Sequence, residues 1–138
     1  MKAIDVYSRH KDDIVICADT IVVYNNKIYG KPKSEDDAHQ ILSILSDNTH
    51  KVITAYCIKT KDLEITKLVT SKVTFNKLSD TLIDWYIKTK IPMDKAGAYA
   101  IQGEEGKLIV KSYKGSLSNI IGFPYEDILS DLKENDLL

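Results

Sequence analysis

Asp19 directly follows the apolar run Ile14-Val15-Ile16-Cys17-Ala18. A carboxylate in that place stands at the carboxyl end of a buried strand, where open α/β sheets usually form a ligand crevice. It can bind a divalent cation or orient a water for attack on phosphorus, although a solvated strand-end aspartate is the commoner case. Lys31 sits between Gly30 and Pro32. Glycine lets backbone approach a ligand and proline stiffens the loop, so the ammonium is held as a point charge suited to phosphate oxygens. Read alone, it is an exposed loop lysine. The third stretch, Asp94-Lys95-Ala96-Gly97-Ala98-Tyr99-Ala100-Ile101-Gln102-Gly103, is rich in small residues and ends near an amide that donates and accepts at once. Gln102 is thus equipped to read a nucleobase edge, or equally to cap backbone groups of its own loop.

These residues need a frame that brings them together. The run 14–18 predicts a strand buried on both faces, ending in Asp19-Thr20. Ile21 to Tyr24 and Lys27 to Tyr29 flank Asn25-Asn26, a pair that tolerates positive φ and predicts a tight hairpin. Asp19 and Lys31 bracket that hairpin, which offers a route back to one mouth of the sheet. Ser34 and Asp37 resemble a capping box, and Ala38, Ile41, Leu42 and Leu45 follow at helical spacing until Asp47-Asn48. Val52–Lys59 and Leu68–Phe75 predict two strands joined around Lys61-Asp62. Ser79-Asp80 starts a second helix, whose Trp85 is expected in the core or at an interface. The chain from Pro92 to Gly106 reads as loop, Leu108-Ile109-Val110 as a strand, Gly115–Pro124 as a small-residue stretch and Tyr125–Leu132 as a last helix. Ile4, Val6 and Tyr7 fall on one face of a short helix near the start. Strands alternating with helices around a hairpin predict an α/β domain with a mixed, twisted sheet flanked by helices, and 1–138 as one domain.

Composition narrows the function classes. A formal net charge of −1 provides no general basic field for nucleic acid or an anionic membrane, so neither is expected as a partner. The apolar runs are too short for a membrane-spanning helix, and the first residues carry no secretory leader. Cys17 and Cys57 both fall in apolar stretches and are expected as free thiols, which points to the cytoplasm. His10, His39 and His50 lack metal-ligand spacing.

Taken in order, five blocks resemble the Maf family. Ala18-Asp19-Thr20-Ile21-Val22-Val23 is similar to its A-D-T-V-V segment, and Gly30-Lys31-Pro32 to its G-K-P loop. Thr49-His50-Lys51-Val52-Ile53-Thr54 resembles T-H-x-V-x-T. Residues 94–103 follow D-K-A-G-A-Y-x-I-Q-G. Gly115-Ser116 with Ser118-Asn119-Ile120-Ile121-Gly122-Phe123-Pro124 resembles G-x-x-x-N-V-V-G-L-P, with Ile and Phe in place of Val and Leu. The resemblance implies a Maf/Ham1-like fold and a pyrophosphatase that splits a nucleoside triphosphate into monophosphate and pyrophosphate. It implies a divalent cation, Mg2+ or Mn2+, as cofactor, and a homodimer. Asp19 would be the catalytic aspartate and a cation ligand, Lys31 a phosphate contact, and Lys2, in a K-A pair, a second. Thr20 and Gln102 match the subgroup acting on dTTP and UTP rather than on methylated guanosine triphosphate.

The family's opening strand and S-x-S-P-R-R-type loop have no match in this sequence. The resemblance therefore implies a sheet short of its first strand and helix, and a phosphate site short of its serine and arginine donors. The alternative to the enzyme is then a catalytically impaired or inactive relative that binds nucleotide or a partner.

Overall fold

A computed structural model describes residues 14–137. Five strands form one sheet: β1 (Val15–Tyr24), β2 (Lys27–Tyr29), β3 (Thr49–Lys59), β4 (Glu64–Phe75) and β5 (Val110–Lys114), in the order β2-β1-β3-β4-β5. Helices α1 (Glu35–Leu45), α2 (Asp80–Lys88), α3 (Gly103–Ile109), α4 (Leu117–Ile121) and α5 (Tyr125–Glu134) complete the α/β architecture. The expected class and flanking helices are present. All four strand pairings among the described residues are antiparallel, so the parallel pair of a mixed sheet is not found there. The short helix expected around Ile4, Val6 and Tyr7 lies outside the described residues.

Local chemistry accounts for most boundaries. Asn25 and Asn26 take φ of 52° and 65°, so the two-residue turn adopts the left-handed geometry that hairpin twist demands. Ser34 Oγ accepts from Asp37 N at 3.0 Å, while Asp37 Oδ2 accepts from Lys33 N at 2.8 Å, a reciprocal cap with Asp in the usual Glu position. Ser79 caps α2 through its Oγ, which accepts from Leu82 N at 3.1 Å.

The register explains where the core lies. Val22 pairs with Val52 and Ala18 with Tyr56, so even-numbered residues of β1 and β3 share one face. At one end of that face Val22, Val52, Val73 and Phe75 pack with Leu42 and Leu45 of α1 and with Ile83 and Tyr86 of α2. At the other end Tyr56 and Ile58 meet Ile128 and Leu132 of α5. Asp131, 4% exposed, is held there by the Tyr56 hydroxyl and by Lys67 Nζ at 2.6 Å, so its charge is paired where burial would otherwise disfavour it. Thr20 and Thr54 fall between the two apolar clusters.

Three expectations are corrected. β1 does not stop at Asp19-Thr20; it runs unbroken to Tyr24 because β3 pairs with it from Val15 to Val23. The stretch 92–106 is not all loop: it holds 3-10 turns at Ile91–Asp94 and Ala96–Ala98, then enters α3, which takes Leu108 and Ile109 from the expected strand. A short apolar run does not distinguish a buried helix turn from a strand, and here Ile109 is buried at the helix end while Leu108 is half exposed. Trp85 is 44% exposed, because α2 turns Ile83, Tyr86 and Ile87 to the core, so of its two expected places the core is ruled out. Among the described residues no helix is long and apolar enough to cross a membrane.

Candidate active site

The residues singled out in the sequence come from three separate segments and reach one cleft. β1 supplies Asp19 and Thr20, the loop after β2 supplies Lys31, and the segment before α3 supplies Gln102. The cleft encloses about 440 Å³, within the range of small-molecule sites. Strand alternation sends Asp19 and Thr20 to opposite faces. Both still line the cleft, since β2 pairs only with Val22–Tyr24 and, among the described residues, leaves the rest of that edge of β1 without a neighbour. Asp19, Lys31 and Gln102 are all exposed to solvent. Lys2 lies outside the described residues.

The joint between the segments is Gly97. Its N–H donates to Gly30 O at 3.1 Å, tying the Lys31 loop to the 94–102 segment. A Cβ at Gly97 would lie 2.7 Å from Val22 Cγ2, so only glycine lets this backbone press against β1. Its φ of 72° makes the same demand. Two further ties hold the segment that leads to Gln102. Tyr99 Oη and His50 Nε2 share a hydrogen bond of 2.7 Å, and Ala100 N donates to Tyr86 Oη at 2.9 Å. Tyr99, His50 and Phe75 stack edge to face with centroids 4.7 to 5.2 Å apart.

His50 is 2% exposed, and burial lowers its pKa from 6.5 to about 4. It is therefore neutral in the folded protein near pH 7. In the unfolded chain it binds a proton near pH 6.5. Its contribution is present above pH 6.5 and lost as pH falls toward 4, a total on the order of 3 kcal/mol. Urea midpoints at pH 7 and pH 4.5 are expected to show this loss, and His50→Leu to remove most of it.

Several site residues were not distinguished in the sequence. Asp94 and Lys95 line the cleft and add one charge of each sign. Their membership in the small-residue stretch was the available signal. Ile120, Ile121 and Gly122 form another wall. They are placed by α4, whose cap is Ser116 Oγ accepting from Asn119 N at 3.1 Å, and whose Asn119 Nδ2 donates to Val52 O and Ser71 Oγ at 3.2 and 2.9 Å. Gly122, at φ 116°, ends the helix against Thr20.

This grouping of Asp19, Lys31 and Gln102 coincides with a family match: residues 1–135 fit the Maf-like protein model. The chain belongs to the Maf family. Curated Maf relatives extend the match. The dTTP/UTP pyrophosphatase of Acholeplasma laidlawii is 44% identical over 99% of this chain and 72% of its own length. Proteins of the same name from Pyrococcus furiosus and Halalkalibacterium halodurans are 46% and 43% identical, over 89% and 96% of this Maf chain and 64% and 69% of their own lengths.

Proposed function

We propose that this Maf chain is a nucleoside triphosphate pyrophosphatase acting on dTTP and UTP, releasing the monophosphate and pyrophosphate. The observation that carries it is the meeting of Asp19, Lys31 and Gln102 in one cleft sized for a small ligand. The names of the relatives support the same substrate class. Asp19 accepts a proton from the attacking water as the α–β anhydride bond breaks. Lys31 and Lys95 place positive charge where negative charge gathers on the phosphates. Thr20 and Gln102 meet the base.

The donor set fits a hard divalent cation, Mg2+ or Mn2+, because two carboxylates, Asp19 and Asp94, line the cleft and phosphate oxygens supply further ligands. Among the described residues no group of three or more His, Cys, Asp or Glu could hold a metal ion by itself. Such an ion, when bound between Asp19, Asp94 and the substrate, would neutralise phosphate charge and acidify water. Cys17 and Cys57, partners across β1 and β3, remain free thiols, which supports a reducing cytoplasmic setting. Exposed Leu117, Ile121, Phe123 and Tyr125 supply the apolar surface that a homodimer contact buries.

The test is pyrophosphate release from dTTP and UTP with Mg2+ or Mn2+. Release above the enzyme-free rate is expected. Nucleotide binding with no turnover at micromolar protein would instead assign the chain to the non-catalytic class.

A further inference from the structure

The chain has two cysteines, and the register of β1 and β3 sets them directly opposite each other, Cys17 against Cys57. Directly opposed residues of an antiparallel pair project to the same face, with Cα atoms about 4.5–5.5 Å apart, inside the span a disulfide bridges. Both thiols are free, and Cys17 packs against Val15 and Cys57. Cys57 is 3% exposed, with its Sγ 3.9 Å from Glu64 Oε1. Cys17 is half-buried and is the thiol an oxidant reaches. Strand alternation puts Asp19 on the face of Cys17, and its partner Ala55 on the face of Cys57. The thiol pair and the cleft carboxylate thus stand on the same two strands, with only the Ala18–Tyr56 rung between them.

We propose that Cys17 and Cys57 form an oxidation site whose disulfide displaces Asp19 and slows turnover until it is reduced. The effect on turnover rests on the nucleotide reading above. The oxidant is a hydroperoxide, here hydrogen peroxide. The Cys17 sulfur gives up its proton and attacks one peroxide oxygen; the O–O bond breaks, leaving a sulfenic acid and one water. The Cys57 sulfur then attacks the Cys17 sulfur, and the S–O bond breaks. The departing hydroxide takes the Cys57 proton as a second water, so the two thiols together pass two electrons to the peroxide. Cβ atoms of directly opposed residues lie about 4.5–5.5 Å apart, whereas a disulfide holds them at about 3.8 Å. Closing the bond therefore draws β1 and β3 together by on the order of 1 Å, next to the Asp19 rung. A bond closed against its surroundings is readily reduced, and a shift of that size at a reacting group is costly to turnover.

The test treats the protein with hydrogen peroxide and then with dithiothreitol. Oxidised protein is expected to lose two hydrogens from its intact mass, to yield a peptide linked through Cys17 and Cys57, and to run as a single chain on a non-reducing denaturing gel. The backbone amide NMR signals of Asp19 and Ala55 are expected to shift, and pyrophosphate release from UTP to slow about tenfold. Dithiothreitol is expected to reverse every change. Cys17→Ser and Cys57→Ala, either of which suffices if the other does not fold, are expected to keep their rates through the same treatment, which separates the disulfide from methionine oxidation. Thiols that end as sulfinic acid, or that link two chains instead, overturn the inference. So does a disulfide that leaves either the Asp19 signal or the UTP rate of active protein unchanged. Reduced protein that releases no pyrophosphate overturns the nucleotide reading, while the linked peptide and the Asp19 signal still decide whether the oxidation site exists.

Discussion

Asp19→Asn is expected to reduce pyrophosphate release from UTP by about a thousandfold or more, in the upper range of what a positioned general base supplies. The amide has nearly the carboxylate's shape but neither accepts the water's proton nor carries charge for a divalent cation. Asp19 is exposed on a strand paired along its length with β3, so the fold is expected to tolerate the change within about 0.5 kcal/mol. Steady-state release assays with thermal denaturation separate the two effects. Turnover within tenfold of the wild type, at unchanged stability, would remove Asp19 from the proton-accepting role and leave Asp94 as the carboxylate to test in the same cleft.

Gly106→Ala is expected to be the most disruptive single methyl among the glycines. An added Cβ would stand 2.2 Å from Ile101 O and 2.5 Å from Ile101 C, both backbone atoms that no rotamer change can move. Either α3 or the strand-like approach through Ala100 and Ile101 must shift, and Gln102 follows directly. The cost is expected at about 2–4 kcal/mol, a fall in Tm of roughly 10 °C for a domain of this size, with weaker UTP binding. Gly30→Ala is the matching control, since nothing lies within 4 Å of its added Cβ. Equal melting temperatures for the two variants would show that the close contact at Gly106 is relieved without cost.

Local order in this Maf chain is encoded over a few residues at a time. The Asn25-Asn26 turn, the Ser34 and Ser79 caps and the spacing of Ala38, Ile41, Leu42 and Leu45 all act within four positions, and each predicted element formed. The same short range explains the errors. Nothing adjacent to Leu108-Ile109-Val110 distinguishes a helix end from a strand, and nothing beside Asp19 reveals that β3 would carry β1 past it. Trp85 lies outside the core because helical spacing marks an apolar face without saying which side the core occupies.

The five family blocks single out Asp19, Thr20, Lys31 and Gln102, all of which line one cleft. How they meet rests on contacts between distant positions. Gly97 joins the Lys31 loop to β1, His50 and Tyr86 pin the approach to Gln102, and Asn119 seats the Gly122 wall over Thr54. The contact between Thr20 and Thr54 is the clearest case: two threonines 34 positions apart meet at 2.8 Å because β1 and β3 pair in register there.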